Sequence, residues 1–296
     1  MKFAVTTFAQ TTDADPGTAA GPEALLRAGL IDLLRQSGHE VMGPLRVRLT
    51  PSEAAAYGAW NKIGLANAHL AKLVFDAVCA NAFPLILESN CYAAIGVLAG
   101  LQKFDNKGVP RLGMVWIDAH GDCNTPETTL SGMLSGMPVA IASGLCLDRL
   151  RKKASLDLPL DPRDIVMVCV RANDPLEEEV INRAGFGRVP VADIKSGCRK
   201  LRDAMERLSG SVDRIYVHFD ADALDASEVA SMWLTAPDGP ASRELAEAMK
   251  IIMAYRNIAA FGVSDINPER DTDSQMIEAM LTVIKGAIAG FGGLLV

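Results

Sequence analysis

The stretch Val115-Trp116-Ile117-Asp118-Ala119-His120-Gly121-Asp122-Cys123-Asn124-Thr125-Pro126 decides both the fold class and the chemistry of this chain. Its three leading apolar residues suit a buried strand, and the glycine and proline that follow signal a loop. Alternate side chains of an extended chain share one face, so Asp118, His120 and Asp122 are predicted to point the same way. Two carboxylates and an imidazole at the end of a strand indicate a site for a divalent metal.

A second stretch further along the chain, Ile215-Tyr216-Val217-His218-Phe219-Asp220-Ala221-Asp222, has the same plan. Asp220 and Asp222 are two residues apart and are predicted to share a face, and Asp225 follows in the loop. Either motif alone also fits acids that cap or solvate a loop. Together, so many carboxylates would repel one another unless cations lay between them, which favours a centre with two metal ions.

Length and composition limit the class of protein. The chain has 296 residues, of which 49% are hydrophobic, enough for one large α/β domain or two small ones. A net charge of -7 without a basic cluster gives no sign of binding to nucleic acid or to an anionic membrane. Neither a signal peptide nor an apolar run of membrane-spanning length is recognisable, and the six cysteines are spaced singly. These features predict a reduced, cytoplasmic protein.

Strand-like and helix-like segments alternate along the chain. This alternation predicts an α/β fold with three layers (α/β/α), in which helices cover both faces of a mostly parallel sheet. The predicted strands are 1–5, 42–49, 83–87, 115–117, 165–170, 189–194, 215–222 and 258–263. The predicted helices are 21–34, 66–80, one from residue 93, 198–208, 241–255 and 276–288. Segment 226–240 is predicted to be a loop, and its Trp233 has three open roles: a lid, a contact between subunits, or ordinary packing.

The motifs D-A-H-G-D-C-N-T-P, T-T-L-S-G-M-L-S-G-M-P and H-F-D-A-D-A-L-D resemble those of the arginase-like ureohydrolases, which include arginases, agmatinases and formimidoylglutamases. The resemblance runs from Gly21 to Pro268 and implies one arginase-like domain over residues 1–296. It also implies two Mn²⁺ ions per subunit, a small guanidino or amidino substrate, and a homo-oligomer that is a trimer or hexamer.

The resemblance assigns roles to individual residues. Asp118 and Asp220 would bridge the two ions, and Asp122 would orient a hydroxide shared between them. Asp265 would hold the cationic guanidine. The implied metal ligands are Cys91, Asp118, His120, Asp122, Asp220 and Asp222, with His120 and Asp222 on one side and Cys91 and Asp122 on the other.

Five further positions match family residues that hold the amino-acid end of the substrate. Asn124, Thr129 and Ser131 would contact the α-amino and α-carboxylate end. Asp174 and Glu177 would meet the ammonium group, although capping of the following helix explains both acids equally well.

Three positions depart from the family pattern. When the chain is aligned through Pro84 and Gly96, Cys91 replaces a metal-binding histidine, and it has three interpretations: a ligand, a redox-sensitive thiol, or a small apolar residue. Met133 replaces an asparagine that helps to hold the substrate, and Ser135 replaces a histidine that shuttles protons.

The resemblance therefore implies hydrolysis of a C–N bond in an arginine-like or N-hydroxyarginine-like substrate, releasing urea or hydroxyurea. Some hydroxyarginine-processing relatives share the D-x-H-G-D-x-N-T-P-E-T-T pattern that starts at Asp118 and are similar around Cys91. Two alternatives stay open: a formimidoyl-type amidine hydrolase, and an impaired member that only binds metal or ligand. For His218, support of a metal ligand and a hydrogen bond to backbone are both open.

Overall fold

The computed structural model describes residues 1–12, 15–103, 108–230, 232 and 234–291. Trp233, for which a lid or a subunit contact was considered, lies outside the described residues. Within the described part of the chain, every helix is too short or too polar to cross a membrane.

Eight strands form one sheet, and every strand pair in it is parallel. Their order across the sheet is β2-β1-β3-β8-β7-β4-β5-β6, so the last strand of the chain lies near the middle. The strands are β1 Lys2–Phe8, β2 Glu40–Arg46, β3 Phe83–Glu88, β4 Leu112–Ile117, β5 Ile165–Val168, β6 Gly187–Val189, β7 Arg214–Asp220 and β8 Ile258–Ser264.

Twelve α-helices within the described residues connect and cover these strands. They are α1 Gly21–Arg27, α2 Leu30–Gln36, α3 Pro51–Ala54, α4 Ala59–Cys79, α5 Ala94–Leu101, α6 Pro138–Ala142, α7 Asp148–Lys153, α8 Pro175–Ala184, α9 Val191–Lys195, α10 Arg199–Ser211, α11 Ser242–Met253 and α12 Gln275–Gly290.

Two large apolar cores lie on opposite faces of the sheet. Side chains of α1, α2, α10, α11 and α12 pack on one face, and side chains of α4, α5, α6 and α8 pack on the other. All residues of β3, β4 and β5 are buried, so these strands are covered on both faces of the sheet. Burial on both faces is typical of parallel sheets. The predicted three-layer α/β/α architecture is confirmed.

Three predicted boundaries are wrong for local physical reasons. The strand predicted at 189–194 ends at Val189, and the apolar residues after Pro190 form helix α9. The helix predicted at 21–34 is divided in two at Gly29, whose φ of 92° lies in the left-handed region that glycine adopts readily. The strand predicted at 165–170 stops at Val168, because the φ of Cys169 is 70°.

The parallel arrangement also determines where a site can form. All eight strands point the same way, so the segments that follow β3, β4, β7 and β8 meet at one edge of the sheet. Ligands of open α/β sheets bind outside this carboxyl edge. The two acidic motifs, Cys91 and Asp265 all follow strands at this edge.

Candidate metal centre and substrate pocket

A pocket of about 520 Å³ opens at the carboxyl edge of the sheet. All six predicted metal ligands line it, together with Asp265. Its remaining described lining residues are Asp15, Thr18, Asn90, Asn124, Leu130, Ser131, Met133, Ser135, Gly136, Ala172, Asn173, Asp174, Glu177, Met232, Leu234 and Asn267. Residues far apart in the sequence therefore meet in one cavity, as the two acidic motifs predicted.

One group of metal-binding atoms is built around His120. Ligand atoms of Asp118, His120 and Asp222 all lie within 4.8 Å of one another. His120 Nδ1 is 2.8 Å from Asp222 Oδ2, and the backbone N–H of Ala119 donates to Asp222 Oδ1 at 2.9 Å. The backbone N–H of His120 donates to Asp118 Oδ1 at 2.7 Å. Backbone hydrogen bonds thus fix both carboxylates beside the imidazole.

A second group is built around Cys91. One ligand atom from each of Cys91, Asp118, His218 and Asp220 lies within 4.8 Å of the other three, and all four residues are buried. The thiol of Cys91 donates to Asp220 Oδ2 at 2.8 Å. Asp118 belongs to both groups, which is the position that a bridging carboxylate requires. Asp122 lines the same pocket but belongs to neither of these two close groups.

The charges in the pocket match divalent cations. Burial, followed by neighbouring carboxylates, raises the pKa of Asp118 and Asp220 well above the usual range. Burial and the charge of Asp118 do the same to the pKa of Asp122. Burial lowers the pKa of His120, but the opposing effects of Asp222 and Asp118 are greater, so the pKa rises to about 12. Such crowded carboxylates are stable as anions only when cations lie between them.

The backbone at Asp122 differs from the geometry that the sequence predicted. Strand β4 ends at Ile117, and residues 118–122 follow it without regular structure. The φ of Asp122 is 46°, in the left-handed region, so alternation along a strand does not explain why its carboxylate faces the pocket. The convergence of Asp118, His120 and Asp122 is confirmed, but a turn in the backbone produces it.

The surroundings of Cys91 distinguish among its three interpretations. Its side chain is buried, and its sulfur lies within hydrogen-bonding distance of Asp220, Asp265 and Ser264. Redox-sensitive thiols need access and positive charge nearby, whereas burial and then the charge of Asp220 raise the pKa of Cys91 well above its usual range. A purely apolar role is also disfavoured, because the sulfur contacts the carboxylates of Asp220 and Asp265. A thiol in this place fits a metal ligand, because coordination removes its proton.

Asp265 lies at the boundary between the metal-binding residues and the open pocket. Its Oδ1 accepts a hydrogen bond from Asn90 Nδ2 at 3.1 Å, and its Oδ2 lies 3.1 Å from Cys91 Sγ. Burial raises the pKa of Asp265 to about 7. No role was predicted for Asn90, although it stands directly before Cys91 in the loop after β3.

The residues predicted to hold the carboxylate end of a substrate lie on the loop after the first acidic motif. Asn124 and Ser131 line the pocket. Thr129 is not among its lining residues; its hydroxyl accepts a hydrogen bond from the backbone N–H of Gly132 at 3.0 Å. In this structure Thr129 therefore shapes the loop that carries Ser131.

The two acids on the opposite wall have structural roles in addition to their places in the pocket. Asp174 stands immediately before α8, and the carboxylate of Glu177 accepts hydrogen bonds from the backbone N–H groups of Cys123 at 2.8 Å and Asp174 at 3.2 Å. Asp174 Oδ2 accepts from Asn124 Nδ2 at 3.2 Å. These contacts join the helix start to the first acidic motif, and both acids still line the pocket.

Two supporting residues went unrecognised in the sequence. Asn173 Oδ1 accepts a hydrogen bond from the backbone N–H of Gly121 at 2.8 Å. The guanidinium of Arg171 donates to five carbonyl groups beyond its own strand, at 2.8–3.2 Å: those of Asp222, Ala223, Leu224, Ala236 and Pro237. The only signal for either residue was a polar side chain directly after a buried strand.

The chain is similar to proteins of one known family. A model of the Arginase family matches residues 3–289. The chain is 27% identical to the arginase of Bacillus caldovelox over 281 residues, covering 91% of this chain and 93% of that one. It is 29% identical to an arginase of Staphylococcus aureus, with 90% of each covered.

Solved structures show the same likeness. The crystal structure of arginase from Bacillus subtilis superposes with a TM-score of 0.85 at 26% identity, covering 97% of this chain and 98% of that one. Formimidoylglutamase from Bacillus subtilis superposes with a TM-score of 0.73 at 16% identity, covering 98% of this chain and 86% of that one. At that identity the second likeness concerns the fold alone.

Proposed function

Since the chain belongs to the arginase family, whose members are hydrolases of amidino C–N bonds, we propose that it cleaves an arginine-like guanidine, with N-hydroxyarginine as the favoured substrate. The observation that best supports this proposal is the pocket itself. Two groups of metal-binding atoms that share Asp118 line it, and Asp265 lines it beside them. The products are ornithine, or an analogous amine, and urea or hydroxyurea.

The donor atoms of this pocket fit two divalent ions, and we propose Mn²⁺ in the His120 group. When bound, such a pair of ions supplies an activated hydroxide at neutral pH. Asp118 and Asp220 would hold both ions. The carboxylate of Asp122 would accept a hydrogen bond from the nucleophile and orient it towards the planar guanidino carbon.

The remaining residues hold the substrate. Asp265 pairs with the guanidino group and stabilises its positive charge as the nucleophile approaches. Asn124 and Ser131 provide neutral hydrogen-bond donors for the α-carboxylate, with Thr129 supporting the loop. Asp174 and Glu177 lie on the wall that would face the α-ammonium group.

Three features support a hydroxylated guanidine over arginine itself. Asp265 is one methylene shorter than the glutamate that arginases place at this position, which leaves space beside the guanidino group for a hydroxyl. The stretch from Asp118 to Thr129 matches the D-x-H-G-D-x-N-T-P-E-T-T pattern of hydroxyarginine-processing relatives. Ser135, which lines the pocket, replaces the proton-shuttling histidine of arginases.

A substrate panel tests this proposal. Mn²⁺-loaded protein is incubated with arginine, N-hydroxyarginine, agmatine and guanidino acids, and urea and hydroxyurea are quantified by mass spectrometry. We expect the highest kcat/KM with N-hydroxyarginine and hydroxyurea as its product. Metal-loaded protein that is inactive on the whole panel but releases formamide from a formimino substrate would overturn the proposal. Inactive protein without bound metal would favour the binding-only alternative.

Replacing Cys91 with histidine is expected to strengthen Mn²⁺ binding on the Cys91 side, because imidazole suits Mn²⁺ better than a soft thiolate does. Isothermal titration of chelator-treated protein measures the affinity of each site. We expect the weaker Mn²⁺ affinity to rise about 10-fold or more, while the affinity of the His120 side stays the same. Cys79→Ser, a change at an exposed thiol, is the matched control. Unchanged affinity and stoichiometry in the Cys91 variant would remove Cys91 from the set of ligands.

The predicted trimer or hexamer and the predicted cytoplasmic location stay predictions.

A further inference from the structure

Behind Cys91 lies a buried polar network that the family resemblance did not assign. It consists of four buried residues near Asp220: Glu88, Tyr216, His218 and Ser264. Ser264 of β8 is paired with Asp220 of β7, and His218 precedes Asp220 by two residues on the same strand. His218 stacks on Trp116 with ring centroids 3.9 Å apart and an interplanar angle of 9°. The orientation of the imidazole plane is therefore fixed by packing.

The hydrogen bonds determine which nitrogen of His218 carries the proton. Tyr216 Oη donates its single proton to Glu88 Oε1 at 2.8 Å, and the same oxygen lies 2.9 Å from His218 Nδ1. Since the Tyr216 proton is committed to a carboxylate, Nδ1 must be the donor in that contact. Glu88 Oε2 lies 3.4 Å from Nδ1 and has no hydrogen-bond partner among the described residues. A neutral imidazole protonated on Nδ1 has a lone pair on Nε2.

Nε2 lies on the side of the ring that faces the Cys91 group: it is 3.3 Å from Ser264 Oγ, which is also 3.3 Å from Cys91 Sγ. One ring nitrogen of His218 lies within 4.8 Å of the ligand atoms of Cys91, Asp118 and Asp220. The nearest hydroxyl, Ser264 Oγ, is 3.3 Å from Nε2 but 3.1 Å from Asp220 Oδ2, and a carboxylate is the stronger acceptor. Since the Ser264 hydroxyl donates to Asp220, no described group donates a hydrogen bond to Nε2, and its lone pair is available to bind a metal ion.

Gly262 supplies the space for this arrangement. A Cβ atom at residue 262 would lie 2.2 Å from both Glu88 Oε1 and Tyr216 Oη. The absence of a side chain at this position lets the carboxylate reach the imidazole from β3 across β8. A histidine that binds a metal through one nitrogen usually donates its other N–H to a polar acceptor, often a carboxylate. Here the acceptor of the Nδ1 proton is Tyr216 Oη, which in turn donates to Glu88 Oε1.

We propose that His218 Nε2 is a direct ligand of the ion on the Cys91 side, oriented by Glu88. This inference rests on the proposed metal centre and goes beyond it, because it replaces the lost family histidine with an imidazole from a different strand. The resulting ligands are one thiolate sulfur, one imidazole nitrogen and carboxylate oxygens of Asp118 and Asp220. Sulfur and nitrogen donors in a four-ligand site favour Zn²⁺ over Mn²⁺.

Cadmium NMR on the wild-type chain tests the ligand set without any substitution. The chain has four histidines, and the protein is loaded with ¹¹³Cd²⁺ for cadmium-edited proton spectra. We expect scalar coupling from cadmium to the ring protons of two histidines, His120 and His218, and to the β-protons of Cys91. Coupling at His120 alone in fully loaded protein would overturn the proposal.

Zinc titration of variants provides the second measurement, and circular dichroism melts check that each variant folds. In chelator-treated full-length protein, His218→Asn is expected to weaken Zn²⁺ binding on the Cys91 side by about 100-fold or more, and Glu88→Gln by about 10- to 100-fold. Ser264→Ala should change this affinity much less than either. His69→Asn, at a partly exposed histidine that contacts Glu53, is the matched control.

The outcomes separate this inference from the proposed function. If Ser264→Ala weakens Zn²⁺ binding as much as His218→Asn does, His218 acts through the serine hydroxyl and the proposal of direct ligation is wrong. Wild-type affinity in both His218→Asn and Glu88→Gln would also overturn it. Neither measurement depends on hydrolysis, so a protein that couples cadmium to two histidines but hydrolyses no guanidine would contradict only the proposed function.

Discussion

Replacing Asp220 with alanine is expected to remove both metal ions and, with them, the hydrolytic activity. Asp220 is 3% exposed, and its Oδ2 lies 2.8 Å from Cys91 Sγ in the group that also contains Asp118 and His218. The family resemblance implies that Asp220 would bridge the two ions, so its loss would remove a ligand from each. Metal catalysis contributes several kcal/mol of transition-state stabilisation, so kcat/KM should fall by about 1,000-fold or more. Metal content by plasma mass spectrometry and steady-state kinetics are the measurements.

Two matched variants separate ligation from structure. Asp220 Oδ1 also accepts a hydrogen bond from the backbone N–H of Asp222 at 2.8 Å, which begins a short helical turn. Asp220→Asn keeps an oxygen for this bond but removes the charge, and it should lose the metals as alanine does. Asp225→Ala changes a nearby acid whose carboxylate accepts from Ser227, and it should retain both metals. Full metal content in Asp220→Ala would refute the bridging role.

Asp122→Asn is the second change with a large expected effect, and it should leave the fold intact. The φ of Asp122 is 46°, and asparagine is among the residues that tolerate the left-handed region best. The amide cannot accept a proton or orient the nucleophile as the carboxylate does. A lost general base typically lowers kcat by about 100- to 10,000-fold. We expect such a fall in kcat with little change in KM or in the melting temperature.

A control variant tests whether the positive φ at residue 122 affects stability. Asp122→Ala should be less stable than Asp122→Asn, because alanine is disfavoured at a positive φ. Both variants should be inactive if the carboxylate is essential. Normal kcat in Asp122→Asn, measured with full metal content, would show that another group orients the nucleophile.

Much of the fold was predictable because its signals are local. Apolar runs such as those of β4 and β7, each followed by acids, indicated buried parallel strands and a site at their carboxyl edge. The failures have equally local causes. Val191–Lys195 is apolar enough for a strand, but it forms a helix directly after Pro190. No propensity rule indicates that Asp122 turns into the left-handed region.

The candidate site was predicted less completely, because its support comes from contacts between distant residues. Asp118, His120, Asp220 and Asp222 are visible in two motifs. By contrast, the contact between His218 and Glu88 joins residues of β7 and β3, which are separated by β8 in the sheet. The role of Gly262 depends on a close approach between three strands. Periodicity within one segment carries no information about such contacts.

The position of β8 has a consequence for the synthesis of the protein. Of the strands in the described residues, β8 is the last to leave the ribosome, yet it pairs with both β3 and β7 near the middle of the sheet. Until it emerges, the nascent chain can form only two half-sheets with unpaired inner edges, one from β1 to β3 and the other from β4 to β7. Unpaired edges of this kind invite aggregation, so protection by chaperones should matter most during this interval. Asp265 arrives with the same strand, and the pocket is therefore completed only when the two half-sheets join.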